Sequence, residues 1–571
     1  MLAIPLYAWA FLLFLLSSCF YPGFWPFDVN ILLAICTAGL VAVAVSFKVQ
    51  KISLPKWPLL FIAVLLILQI FIFFRGDIQA PGSWKLQAAM HLAAVAFFIA
   101  GIAIPSSTFR TWMHAYIAGV VIWLMIGWLV WLGATNSNPL GFSAFTITMA
   151  PSVKLAGPFN QGNIFAAGLG MAWLFAHWLH LKSRRPVSGF LIIIFSAGLI
   201  DTLSRGGVIS YSICLALLLW AWRPSFQYLA IKIIPLWVAG LILGLFMLHF
   251  SIEQPPQDAF LSLAATASAS IEARLIIWLT AFHEFSTSPW LGVGWGQFQP
   301  QFWISKPDAI AQAQTLLGSS PALSSSVLSA HNLTLQLLAE GGILVLAALL
   351  SAMIFLIVRT YRLIASCSNR TPFALSSLGF IIQSQINVCY SSPVLFLSAA
   401  LFAGISMAPW LRRKANSFMI SNLSRSLLVV FCLLGFSFSY QQSKAWFDAE
   451  PIIQHLDLNN KQSLESFVNI TGAERARIIP LVWLGYKIAI EQKHANLLHW
   501  IEPYLLVSAQ EIPMVDVYQV LFYTLAHNGK YAQACKLGKL IEKQKFPVET
   551  NSAAYQEICA GKRISAYHFG H

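Results

Sequence analysis

At about thirteen places between Met1 and Tyr440 the chain runs apolar for the roughly 20 residues that a helix needs to cross ~30 Å of hydrocarbon. A backbone inside lipid must satisfy its own hydrogen bonds, so runs of this kind fold as helices. The candidate spans are 2–20, 29–47, 57–74, 85–104, 111–133, 161–181, 187–203, 206–222, 227–250, 332–358, 372–389, 393–411 and 424–441. After Tyr440 the charged residues return and no run is long enough to cross a bilayer. The expected fold class is therefore all-α. A polytopic membrane domain with about 13 transmembrane helices covers 1–441, and a helical C-terminal domain covers 442–571. Only 10% of the residues are charged, against about 25% in a soluble domain, which excludes a soluble enzyme, a disordered chain and a coiled coil.

Lys and Arg collect on the cytoplasmic side of membrane proteins. With the N-terminus in the cytoplasm, the inward connections hold 16 of the 35 cations, from Lys48 to Arg425, and no Asp or Glu. The short outward connections hold only Arg75, Lys85, Lys154 and Arg205. The net charge of +14 is thus a topology signal rather than a polyanion-binding face, and nucleic acid is not an expected partner. This orientation places the 251–330 loop and the tail after 440 in the periplasm of a bacterial inner membrane. Most of the 8 cysteines lie in or beside apolar spans and read as packing residues; Cys535 and Cys559, in the exported tail, are free to form a disulfide. No HExxH, CxxC or paired-carboxylate cluster points to a metal.

The tail reads as helical. Val517 to Ala526 carries a helical stripe, His527-Asn528-Gly529-Lys530 is a stop, and Tyr531 to Cys535 restarts the pattern. Leu537, Leu540 and Ile541 follow, as in one tetratricopeptide-type hairpin.

The polar residues expected on the outer face carry the chemistry. Arg205, in Leu203-Ser204-Arg205-Gly206-Gly207, lies where cations are scarce. It is a functional residue or an arginine that snorkels to lipid phosphate, and its glycines would let a large anion approach the backbone. Gly157-Pro158-Phe159-Asn160-Gln161-Gly162-Asn163 leads into a span. Capping by Asn160 or Asn163 needs one such residue; the surplus suggests hydrogen bonding to a polar ligand. Arg274 is one of two cations in the long loop, which also carries Gly292-Val293-Gly294-Trp295-Gly296. Those aromatics between glycines suit a sugar-stacking or lid surface, and equally a membrane-interface belt. Ser329-Ala330-His331-Asn332-Leu333 opens the next span, with Ser329 as the expected N-cap and His331 in the first helical turn. A helix N-terminus lowers an imidazole's pKa, and a neutral His is what a general base requires. Arginine forks suit a diphosphate, and membrane spans suit a lipid-linked donor.

Gly157-Pro158-Phe159-Asn160-Gln161-x-Asn163, Ser204-Arg205, Arg274-x-x-x-Trp278, Gly292-x-Gly294 and Ala330-His331-Asn332-x-x-Leu335-Gln336, in this order and spacing, resemble the O-antigen ligase superfamily. They are most similar to its bacterial protein O-oligosaccharyltransferase branch, the pilin-glycosylating type. The resemblance covers roughly residues 1–440. It implies en bloc transfer of a glycan from undecaprenyl diphosphate to a Ser or Thr hydroxyl of an exported protein, without metal or nucleotide cofactor. His331 matches the family's catalytic His, Arg205 and Arg274 its donor-phosphate arginines, and Asn160 and Gln161, with Asn163, its amide motif. Asn332 adjoins the His and Tyr390 stands near a family tyrosine; both are counted with the substrate-binding set. The implied partners are the lipid-linked donor, an acceptor such as pilin, and membrane lipid.

Two positions depart from the family pattern. Gly162 replaces a proline, which should loosen the turn, and Asn387 stands where Glu is expected in Gln383-Ser384-Gln385-Ile386-Asn387. Other outcomes are ligation of O-antigen to lipid A-core, glycan polymerisation or, outside enzymology, a transporter or lipid-carrier flippase. A transporter should show buried midplane charges and inverted repeats, which this sequence does not. The exported tail favours a protein acceptor.

Overall fold

A computed structural model describes residues 6–17, 53–54, 64, 67–74, 78, 80–132, 154–159, 161–250, 259–317, 327, 329–413, 418–419, 498–511, 515–543, 556–557 and 559–561. The expected spans 29–47 and 424–441 lie outside the described residues, as does half of 57–74.

The described chain is almost wholly helical. Its elements are α1 (Leu6–Ser17), α2 (Pro81–Ala103), α3 (Phe109–Trp131), α4 (Gly162–Ser183), α5 (Pro186–Asp201), α6 (Arg205–Trp222), α7 (Ile234–His249), α8 (Ala259–Thr287), α9 (Phe298–Leu317), α10 (Leu333–Ala365), α11 (Thr371–Ser384), α12 (Pro393–Arg413), α13 (Leu498–Glu511), α14 (Val515–His527) and α15 (Tyr531–Lys543). The only strands among the described residues are two-residue pieces, Ser53–Leu54 antiparallel to Phe418–Met419. Among the described residues, five stretches are long and apolar enough to cross a membrane: Ser106–Trp131, Gly162–Ser183, Arg205–Trp222, Phe226–His249 and Leu333–Ala365. Met90–Ala103, Pro186–Asp201 and Pro393–Pro409 are shorter apolar helices. The chain is a multi-pass helical membrane protein.

Residues 187–203 and 206–222 form two separate helices despite their short connection. Thr202 and Leu203 close α5, with Leu203 in the left-handed region at φ 48°, and Ser204 caps α6 by accepting from Gly207 N at 3.2 Å. The 251–330 segment is not a plain loop, because it folds into α8 and α9.

Aromatic rings from five helices tie the bundle together. Tyr116 of α3 meets Phe175 of α4 edge-on at 5.7 Å and Phe402 of α12 at 5.3 Å. Phe373 of α11 and Phe11 of α1 complete the cluster, at 5.5 Å and 6.4 Å from Phe402. Edge-to-face pairs of this kind add to the burial of their area. Lipid tails are as apolar as these side chains, so close packing holds the helices together. Several buried indole N–H groups find acceptors within the bundle. Trp123 donates to the Leu15 carbonyl at 3.0 Å and Trp128 to Asp201 Oδ2 at 2.8 Å.

α13, α14 and α15 pack around Leu505, Val520, Leu525, Ala534 and Ile541. The stop read in the sequence is where α14 ends, with Gly529 at φ 74°. Lys530 and Asn528 both donate to the Glu502 carboxylate. A disulfide joins Cys535 to Cys559.

Candidate active site

The starts of α4, α6 and α10 and the end of α11 meet at one end of the bundle. Gln383 Nε2 of α11 donates to the Asn163 carbonyl at 2.6 Å, and Asn332 Nδ2 donates to the Gln385 carbonyl at 2.9 Å.

His331 projects from the turn that enters α10. The cap of this helix is Asn332, not Ser329: its backbone is extended (φ −153°, ψ 116°) and its Oδ1 accepts from Leu335 N at 3.0 Å. His331 therefore stands one residue ahead of the cap rather than in the first turn, half-buried, with φ at 52°. A non-glycine residue in the left-handed region is strained and needs neighbours to hold it. Those neighbours are Gln336 Oε1, which accepts from Ala330 N at 2.6 Å, and Gln385 Oε1, which accepts from Thr334 Oγ1 at 2.6 Å. Burial, and then the charge of Arg274, lower the His331 pKa to about 4. The imidazole is neutral at pH 7, and burial and an adjacent cation make it so.

Arg274 lies half-buried on α8, and Arg205 is the exposed first residue of α6. Burial lowers the Arg274 pKa, with a second contribution from Arg205. Arg205 thus acts on Arg274 and Arg274 on His331, so residues far apart in sequence share one field. Two cations whose charges reach a neutral imidazole in this way are an arrangement that suits a multiply charged anion. The glycines after Arg205 face protein, contrary to expectation. A Cβ on Gly206 would stand 2.6 Å from Asn387 Nδ2, and one on Gly207 2.6 Å from Ala166 Cβ. They let α6 begin tight against α4 and the 383–387 segment, rather than admitting a ligand to the backbone.

Asn160 lies outside the described residues. Gln161 occupies the N-cap position of α4, but its side chain makes no capping bond. Asn163 lies inside the helix and does not cap it. Asn163 sits half-buried in the first turn. A Cβ at Gly162 would come within 2.6 Å of the Thr202 carbonyl, so glycine here lets the amide segment close onto the Arg205 turn instead of loosening it. Asn387 is buried against that turn.

Tyr390 is buried as well, and its hydroxyl donates to Gln336 Oε1 at 3.4 Å. It supports the His331 turn from behind. Gly292, Gly294 and Gly296 all have positive φ, and their loop clamps α10. α10 breaks at Gly342 (φ 65°, ψ −168°) into 333–341 and 343–365. Val293 N and Gly294 N donate to the Ala339 and Glu340 carbonyls at 2.9 and 3.0 Å, and Ile343 N donates to the Pro289 carbonyl at 2.9 Å. The loop thus satisfies backbone groups that the break sets free. Trp295 is buried, 4.6 Å from the His91 ring, while Trp290 is 69% exposed. Only Trp290 retains the open face a sugar platform would need, so the loop is chiefly a structural clamp.

Gln336 stands in the His331 motif and Glu340 in the same span, but the sequence assigns neither a role. Their four-residue spacing, continuing that from Asn332, was the available signal.

Residues 189–350 match the family model for O-antigen ligases, Wzy_C. The matched segment runs from α5 to the upper part of α10 and contains Arg205, Arg274, the glycine loop and His331. No curated protein matches the chain. The match supports the O-antigen ligase superfamily, whose members are glycosyl-transferring membrane enzymes that use lipid-linked donors and separate acceptors.

Proposed function

We propose that this protein moves a preassembled glycan from undecaprenyl diphosphate to a Ser or Thr hydroxyl of an exported protein of the pilin type. The reaction takes place at the outer face of a bacterial inner membrane, with the N-terminus in the cytoplasm and the domain after 442 in the periplasm. The observation that carries this reading is the coupling of a neutral His331 to Arg274, and of Arg274 to Arg205. The two guanidinium groups hold the diphosphate and stabilise its charge as it departs. His331 takes the proton of the acceptor hydroxyl as that oxygen attacks the anomeric carbon and the bond to the phosphate oxygen breaks. A bound diphosphate offsets the repulsion of Arg274, so the imidazole becomes more basic when the donor is seated. Gln161 and Asn163 border the Arg205 turn and orient donor or acceptor, together with Asn160 and Asn332. Tyr390 contributes through the turn that carries His331.

The test is co-expression with a pilin-like exported acceptor in a glycan-producing bacterial host that lacks its own ligase. A mass increase of whole glycan units on the acceptor, absent with His331→Ala, is the expected result. Glycan on lipid A-core with none on protein would assign the lipid ligase reaction instead.

A further inference from the structure

A line of polar side chains runs from the His331 turn into the protein. Ala330 N donates to Gln336 Oε1, and Gln336 Nε2 donates to Glu340 Oε1 at 2.8 Å. Phe298 N, at the start of α9, donates to the same carboxylate oxygen at 3.3 Å. Gln336 and Glu340 are four residues apart on the short half of α10, so they stack on one face, and both are buried. An amide has a donating and an accepting end, and only its oxygen can receive Ala330 N and the Tyr390 hydroxyl. Glu340 is the acceptor that fixes which end points where. On α8, Glu284 is buried with neither carboxyl oxygen hydrogen-bonded. Burial, and then Glu340, hold its pKa well above the usual carboxylate range. Gln336 and the entry to α9 both donate to Glu340 and not to Glu284, so Glu340 is the acceptor for both.

We propose that Glu340, acting through Gln336, is a positioning residue for His331. It orients the Gln336 amide so that its oxygen holds Ala330, and so the strained turn on which the imidazole stands. The inference rests on the reading of His331 as the base for the acceptor hydroxyl. Glu340 touches neither donor nor acceptor in this account.

The test uses the full-length protein in vesicles, with a glycan on undecaprenyl diphosphate as donor and an acceptor protein bearing the modified serine. Glu340→Leu and Gln336→Leu should each lower kcat about 100-fold, the scale of an ångström-sized misplacement of a reacting group. The donor KM should stay within about twofold, because Arg205 and Arg274 stand on other helices. Glu340→Gln, whose amide oxygen still accepts from Gln336 and Phe298, should keep kcat within about threefold. Wild-type kcat in Glu340→Leu would overturn the proposal, as would a rise in donor KM matching the fall in kcat. Glu340→Gln as inactive as Glu340→Leu would also overturn it, because charge rather than orientation would then be the cause. His331→Ala separates the two levels: if it is inert while Glu340→Leu is fully active, only the positioning role falls. If it transfers glycan at the wild-type rate, the assignment of His331 falls and the positioning role with it.

Discussion

In the core, Tyr116, Phe175, Phe373 and Phe402 meet ring against ring, and they come from four different helices. At the site end, the backbone breaks at Gly342, His331 sits at a positive φ, and polar side chains bond in series from Ala330 through Gln336 to Glu340. The core is held by shape and contact area. The site is held by directional bonds that keep a strained turn in place. Energy stored against local preference concentrates where chemistry is done, and the surrounding scaffold must absorb it. The two regions should therefore fail differently when altered: the site in turnover, the core in stability.

The largest expected effect is on turnover alone. His331→Ala should lower the transfer rate about 100- to 10,000-fold, the usual contribution of a positioned base, with the melting temperature unchanged. Arg274→Ala should lower it about 100-fold, on the scale of a lost electrostatic stabiliser, and weaken donor binding as well. A kinetic assay beside a thermal-shift scan on the same detergent-purified protein checks both. The converse belongs to the core. Trp112 is fully buried with its ring 5.0 Å from Phe11, so Trp112→Ala should destabilise the protein by about 3–5 kcal/mol. The fraction that remains folded should turn over at the wild-type rate. If Trp112→Ala slowed turnover without lowering the melting temperature, the contrast between the regions would be broken.

The smallest effect belongs to the tail. The disulfide closes a sequence separation of 24 residues, so Cys535→Ser with Cys559→Ser should cost the C-terminal helices about 3 kcal/mol. Limited proteolysis reads this as faster cleavage after 498, with transfer onto a small acceptor peptide unaffected.

How much of this was legible in the sequence follows the same division. Runs of apolar residues locate spans, and Gly529 with Lys530 marks the end of α14, because both signals are local. His331, Arg205 and Arg274 stand out as candidates because few polar residues interrupt so apolar a chain. The details of the turns were not legible. Ser329 and Asn332 are both good caps by composition, and the choice fell to Asn332 through its contact with Gln385, more than fifty residues away in the chain. Gly162 looked like a loosened proline site, yet the Thr202 carbonyl across the turn makes it a point of close approach. The glycine-rich loop suited a sugar-stacking or lid surface and equally a membrane-interface belt, and its partner is the break in α10. Each of these depends on what arrives from elsewhere in the fold, which no local pattern encodes.

The central claim is that His331 is neutral because it is buried beside Arg274. Its folded pKa of about 4 lies below the ordinary value of 6.5, so protonation opposes the folded arrangement. The stability and basicity it contributes are present above pH 6.5 and are lost as pH falls through about 4. The most direct test is the rate at which diethyl pyrocarbonate modifies His331, followed by peptide mass spectrometry across pH 3.5 to 8, since only the neutral imidazole reacts. The account predicts a midpoint near pH 4 that moves upward in Arg274→Ala. A midpoint at the ordinary 6.5, the same with and without Arg274, would contradict it.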